Sequence, residues 1–140
     1  KEGGGDDQPS TLIHRAKSSG SRATIADVVL KGAAFTDNAV IQDSNGAVRA
    51  AIASTPGSIG YGDAPYADDS FKVLKFDGVE YSPQNIIDGK YPIYGYGHMY
   101  TKGEPTGAVK AFIDYILSDE FQNTQVEKLG FIPVNKMPQK

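Results

Sequence analysis

Cysteine is absent from this 140-residue sequence, and histidine occurs only at positions 14 and 98. Without cysteine the chain cannot form disulfides, zinc–thiolate sites or a catalytic thiolate. His14 and His98 are not in Glu-x-x-His spacing, so the sequence predicts no metal site and no cofactor. No apolar run approaches the ~18 residues that a membrane span requires. Gly-Lys-Ser/Thr is also missing, which argues against a nucleotide-binding loop.

The charge balance argues against a nucleic-acid partner. The formal net charge is −3, whereas nucleic-acid surfaces need a clustered basic face, so we predict no nucleic-acid partner. An anionic ligand must then be held by local groups, because the overall field repels it weakly. Hydrophobic residues at 39% and charged residues at 22% are typical of a globular domain rather than of a disordered chain.

The order of predicted elements defines the fold class. Apolar runs bounded by turn residues predict strands at 11–15, 58–62 and 71–76, the last followed by an Asp77-Gly78 turn. Apolar residues at helical spacing predict helices that end at Gly32, near Pro56, at Gly89, at Leu117 and at Gly130. The stripe from Ala108 to Leu117 is interpreted as core. Strands and helices alternate, so the predicted class is α/β. Residues 1–9 are interpreted as an exposed linker, which suggests a fragment of something longer, and residues 10–140 as the folded lobe.

Arg15-Ala16-Lys17-Ser18-Ser19-Gly20-Ser21 carries the strongest functional pattern. Backbone N–H groups at a helix N-terminus form an anion site, and glycine lets the anion approach them. Two hydroxyls add donors, and an arginine at the end of the preceding strand adds a planar, two-pronged one. These residue types suit a tetrahedral oxyanion. The pattern alone favours a simpler interpretation, in which Ser19 or Ser21 only caps a helix and the arginines are solvated, because serine caps are common.

Five segments in order resemble the phosphate-binding proteins of bacterial phosphate ABC transporters. Arg15 to Ser21 is similar to that family's arginine-x-acid-x-Ser-Gly-Thr signature. Thr55 to Tyr61 resembles its TPGAIGY segment. The other similar segments are 88–93, 111–118 and 130–134.

The resemblance implies one lobe of a two-lobed type II periplasmic-binding-protein fold, with a mixed sheet flanked by helices. It implies that Arg15, Ser19, Gly20 and Ser21 bind inorganic phosphate and that there is no catalytic residue. Residues 93–140 would be the return segment, packing with the absent first lobe of the same protein. The further implied partner is the membrane permease, and the implied location is extracellular or periplasmic with a lipoprotein anchor. Lys17 stands where relatives carry an acid that orients the arginine, which predicts a less rigid Arg15.

Two other functions stay open at this point. A phosphoester-acting α/β enzyme would use a serine of the motif as nucleophile, but it needs an adjacent base, and neither a histidine nor a nearby acid lies in the motif. An interaction module that has lost the ligand is the third possibility, and Lys17 is the residue that favours it. The nearest acid along the chain is Asp27, so the acceptor for the proton of phosphate is expected in the missing lobe.

The first testable prediction concerns local structure. We expect Ser19 to Ser21 to open a helix, with Arg15 at the end of the preceding strand. Coordinates test this directly. A strand conformation at Ser19-Gly20-Ser21, or an Arg15 on the opposite face, would contradict the anion site.

Overall fold

The structure, a computed structural model, describes residues 9–138. All of the predicted linker except Pro9 therefore lies outside the described residues. The described chain forms strands β1 (Thr11–Arg15), β2 (Val40–Gln42) and β3 (Ser58–Gly60). Its helices are α1 (Gly20–Ile25), α2 (Asn45–Ser54), α3 (Pro83–Ile87), α4 (Gly107–Leu117) and α5 (Asp119–Phe121). Helix α1 continues as a π-helix over Ala26–Leu30 and α5 over Gln122–Val126, and short 3₁₀ turns cover Ala64–Tyr66 and Val134–Lys136.

The three strands form one sheet in the order β2-β1-β3, with β1 paired in parallel to both neighbours. Ile13 sits at the centre, opposite Val40 on one side and Gly60 on the other, and only 1% of it is exposed. A β-carbon at Gly60 would lie 3.2 Å from the Ile13 carbonyl oxygen and 3.1 Å from Cδ1 of Ile52. Glycine at this position therefore allows β3 and α2 to pack closely against the central strand.

Of the described residues, 9–75 and 92–95 form the first unit, which contains this sheet. Strand β1 and helices α1 and α2 lie where the sequence predicts a strand and two helices, which confirms the α/β class. Strand β2 was not predicted, because it is three residues long and its Val40 and Ile41 are exposed. In the named sheet all pairings are parallel, since each strand is joined to the next by a helical crossover.

Of the described residues, 76–91 and 96–138 form the second unit, which contains helices α3, α4 and α5. Ile86 and Met137 are buried there, and so is the amide of Gln122. Both ends of that amide are hydrogen-bonded: its Nε2 donates to the Ile116 carbonyl at 2.8 Å, and its Oε1 accepts from the Val134 N–H at 2.8 Å. The predicted start of a return segment at residue 93 stays a prediction.

Two expectations were wrong. Residues 71–76 form no strand: residues 72–75 are all exposed, so no face of the segment is buried, and Phe76 makes an isolated antiparallel bridge with Val79. The turn between them is as predicted, since Asp77 and Gly78 both have positive φ, at 48° and 79°. The stripe on α4 is not core in this chain, because Val109 is 53% and Phe112 61% exposed.

The burial contrast between two isoleucines of the sheet generates a stability prediction. Ile13→Ala should lower the free energy of unfolding by ~2–5 kcal/mol, because it leaves a cavity in the centre of the core. Ile59→Ala makes the same chemical change on β3 at a residue that is 42% exposed, so its cost should be less than about half as large. Urea unfolding of the 140-residue chain measures both. Equal losses would show that Ile13 is not the centre of the core.

Candidate functional site

Arg15 is the last residue of the central strand, at the edge where the parallel strands end. Its backbone N–H donates to the hydroxyl of Tyr61, which follows β3, at 3.2 Å. In the order β2-β1-β3 the chain leaves β1 toward one neighbour and returns on its other side. Ligand sites of open α/β sheets lie at the carboxyl ends of strands beside such a reversal. Arg15 therefore occupies the place in the fold where a ligand site is expected.

Two neutral acceptors hold the Arg15 guanidinium. Nη1 donates to Oδ1 of Asn45, the first residue of α2, at 2.6 Å, and Nη2 donates to the Asp43 carbonyl at 3.1 Å. A guanidinium carries five N–H groups in a planar fork. The Nε of Arg15 is buried and has no hydrogen-bond partner among residues 9–138. The side chain is thus fixed in position with donors left over for a planar, two-pronged contact.

Ser19 caps α1 as predicted. Its backbone is extended, at φ −77° and ψ 128°, and its hydroxyl oxygen accepts from the Arg22 N–H at 3.3 Å. Gly20 and Ser21 are the first helical residues, so their N–H groups have no acceptor within the helix. No atom would approach a β-carbon at Gly20 within 4 Å, so the backbone there is open to a ligand. The expected strand–turn–helix with Arg15 at the end of the strand is confirmed.

Asp63 was missed by the sequence reasoning, which expected no acid near the motif. It lies just beyond β3, and its Oδ1 accepts from the Ser21 hydroxyl at 2.8 Å across a separation of 42 residues. Its Oδ2 accepts from Nδ2 of Asn45 at 2.7 Å, and its own N–H donates to Oδ1 of Asn45 at 3.3 Å. The chain from Arg15 through Asn45 and Asp63 to Ser21 is called the polar relay below. The position of Asp63 after a strand was the signal that could have found it, because parallel strands end at one edge.

The relay also bears on the expected effect of Lys17. That side chain is exposed, and an acid at its position is not what orients the arginine here. The carbonyl of Asp43 and the amide of Asn45 hold Arg15 instead, both from the start of α2 and the loop before it. The effect of Lys17 on the rigidity of Arg15 stays a prediction.

Arg22 and His14 pack beneath the motif through aromatic rings. The Arg22 guanidinium lies 3.8 Å from the centre of the Phe35 ring, and its Nη1 donates to the Arg15 carbonyl at 3.0 Å. The His14 ring contacts Phe35 edge-on at 5.0 Å and Tyr61 at 5.8 Å between centroids. Burial, and secondly the positive charge of Arg22, lower the pKa of His14 below its ordinary value. Arg22 is thus half-buried and engaged in packing.

Between residues 9 and 138, no three His, Asp or Glu side chains cluster so that they could hold a metal ion. Over the same range, no helix combines the length and the apolar character that crossing a membrane requires.

A small parallel sheet has an arginine and an open helix start at its carboxyl edge, an arrangement that can bind a ligand. The family model for the PBP (periplasmic-binding-protein) superfamily domain matches residues 1–120. The chain belongs to this superfamily.

Individual relatives within this superfamily are similar to the chain over most of its length. The chain is 45% identical over 138 residues to the phosphate-binding protein PstS of Bacillus subtilis, covering 98% of this chain and 46% of that protein. It is 37% identical over 101 residues to PstS 2 of Streptococcus agalactiae, covering 71% of this chain and 34% of that protein. A Clostridium perfringens substrate-binding protein assigned to a phosphate ABC transporter, solved with bound phosphate, superposes with a TM-score of 0.82 at 32% identity, covering 95% of this chain and 55% of that one. The chain therefore spans about half the length of the relatives it matches or less.

The buried imidazole generates a pH prediction. The lowered pKa of His14 means that the folded chain excludes a proton that the unfolded chain binds below pH 6.5. The free energy of unfolding should therefore fall as pH drops through and below 6.5, down to the folded-state pKa.

Urea unfolding of the chain and of His14→Phe at successive pH values measures this. The variant keeps the ring packing and removes the titrating group, so it should lose less stability over the same pH range. Parallel losses in both proteins would mean that His14 is not the linked group.

Proposed function

We propose that this chain supplies the phosphate-binding site of one lobe of a transport protein. That protein would bind inorganic phosphate outside the cell and deliver it to the permease of an ABC transporter. The observation that carries the proposal is the Arg15 guanidinium, which is held by Asn45 and Asp43 through neutral acceptors and retains a buried, unpartnered Nε. The names of the relatives, which are phosphate-binding proteins, supply the identity of the anion.

The proposed ligands have complementary roles. Arg15 would bind two phosphate oxygens through its planar fork, since a charge-assisted, bidentate contact is the strongest that a side chain offers to this anion. The N–H groups of Gly20 and Ser21, and the hydroxyl hydrogen of Ser19, would bind the remaining oxygens at the positive end of α1. Ser19 can donate because its oxygen, not its hydrogen, is used by the helix cap.

The rest of the site would come from the first lobe of the same protein. The chain covers only 46% of the Bacillus relative, and α4 exposes Val109, Phe112 and Tyr115 on an apolar face that a longer protein could cover. Closure of the two lobes around the anion would couple binding to a conformational change that the permease recognises. A lipid anchor at the membrane surface would keep the protein beside its permease. The residues predicted as the return segment, 93–140, would take part in this packing.

A non-enzymatic role fits the surroundings of the serines better than hydrolysis. The ring nitrogens of His14 have no hydrogen-bond partner among residues 9–138 and are buried, so His14 is not placed to serve as a base for the motif. One contact favours the alternative of a phosphoester-acting enzyme, namely the Ser21 hydroxyl on the Asp63 carboxylate. A carboxylate alone is a weak base toward a serine hydroxyl, however, and neither ring nitrogen of His14 bonds to this serine. A screen with phosphoester substrates distinguishes the two, and turnover abolished by Ser21→Ala would support the enzyme.

The contrast between the two arginines generates the binding prediction. In the full-length protein carrying this chain, Arg15→Ala should weaken phosphate binding by more than ~2 kcal/mol, because it removes a charge-assisted, two-pronged contact. Arg22→Ala should cost several-fold less, since that guanidinium is already used by Phe35 and the Arg15 carbonyl.

Isothermal titration with phosphate measures both variants, and Arg49→Ala serves as a control. Arg49 makes a surface ion pair with Asp68 at 3.6 Å, so its loss tests the effect of removing one positive charge from the same unit. Equal losses of phosphate affinity in Arg15→Ala and Arg22→Ala would show that Arg15 does not make the two-pronged contact. A wild-type protein that does not bind phosphate would overturn the proposed function.

A further inference from the structure

The two serine hydroxyls at the start of α1 have opposite hydrogen-bonding roles. Ser19 accepts from the Arg22 N–H, so its hydroxyl hydrogen stays available. Ser21 donates its hydroxyl hydrogen to Oδ1 of Asp63 at 2.8 Å. An ionised carboxylate has no proton to give, and a hydroxyl has only one, so Ser21 can offer a ligand nothing but its lone pairs.

The direction of the Ser21 hydrogen bond is determined by Arg15, at the other end of the polar relay. Oδ1 of Asn45 accepts from Arg15, which never gives up its protons, so the amide must turn its oxygen toward Arg15. Its Nδ2 then faces Asp63 and donates to Oδ2 of that carboxylate at 2.7 Å. The other carboxylate oxygen remains for Ser21. The positive charge of Arg15 thus sets the direction of each hydrogen bond along the relay as far as Ser21.

We propose that Asp63, acting through Ser21, makes this site selective for an oxyanion that carries a proton. The inference rests on the proposed function. Hydrogen phosphate has one O–H that can donate to Ser21, whereas sulfate has only acceptor oxygens, which would meet the lone pairs of Ser21 without a hydrogen between them. A site that leaves polar groups unpaired against the wrong ligand rejects that ligand. Discrimination against sulfate is therefore partly built into this lobe and does not come only from an acid of the other one.

Asp63→Asn tests the proposal because it reverses the polarity of Ser21. Nδ2 of Asn45 still requires an acceptor, so the new amide would turn its oxygen to Asn45 and its NH₂ to Ser21. The Ser21 hydroxyl would then be free to donate to the ligand. We expect the ratio of phosphate to sulfate affinity in the full-length protein to fall about tenfold, a loss comparable to one hydrogen bond. Titration at about pH 8, where phosphate is mostly a dianion like sulfate, cancels the effect of the removed charge in that ratio.

Asp68→Asn is the matched control. Asp68 lies in the same unit and also accepts from a serine hydroxyl, that of Ser70, but both residues are exposed. The affinity ratio should not change in this variant. The double variant Asp63→Asn with Ser21→Ala should show the same ratio as Ser21→Ala alone, because Asp63 acts through Ser21.

The outcomes separate this inference from the proposed function. If the wild-type protein binds no phosphate, the proposed function fails and this inference with it. If it binds phosphate and folded Asp63→Asn keeps the wild-type ratio, only the inference is overturned. Should Asp63→Asn not fold, Ser21→Ala decides alone: a larger loss for phosphate than for sulfate supports the inference, and equal losses overturn it.

Discussion

The hydrogen bond from Arg15 to Asn45, 2.6 Å between Nη1 and Oδ1, is the interaction on which the rest of the site depends. It joins the end of the central strand to the first turn of α2, and it orients the amide whose nitrogen then holds Asp63. Asp63 in turn fixes Ser21 in α1. The relay that begins with this contact thereby links the ends of β1 and β3 to the starts of α1 and α2. Its direction is unambiguous, because an arginine only donates.

Neutral acceptors on Arg15 have a consequence for anion binding. A carboxylate paired directly with the guanidinium would compete with an incoming anion and neutralise the charge that attracts it. Here an amide and a carbonyl position the group, and the carboxylate of Asp63 stands one residue further along the relay. The hydrogen-bond partners of Arg15 therefore hold the guanidinium in place without neutralising its positive charge. This matters in a chain of formal net charge −3, where local groups alone must attract an anion.

The core of the chain is modest, and its two units are built differently. Among the described residues the buried hydrophobic side chains are Ile13, Val48, Ile86 and Met137. In the first unit, burial centres on β1, so the same strand forms the core and carries Arg15 at its end. Stability and site geometry are thus coupled there, because a shift of β1 would move the origin of the relay. The second unit exposes an apolar helix face, which suits the proposed packing against a further lobe.

Several local features of the fold could be predicted from the sequence. These features are the strand that ends at Arg15, the Ser19 cap and the start of α2 at Asn45. Local patterns encode them because they depend on residues close together along the chain. The contacts of Asp63 and Tyr61 with the motif could not be predicted in this way. They are hydrogen bonds across separations of 42 and 46 residues, which depend on the tertiary structure. It also overturned the strand predicted at 71–76 and the core assigned to α4, since burial depends on what packs against a segment rather than on its periodicity. Sheet order is non-local. The order β2-β1-β3 brings the Asp63 carboxylate to the anion motif and makes Ser21, at the start of α1, one end of the polar relay.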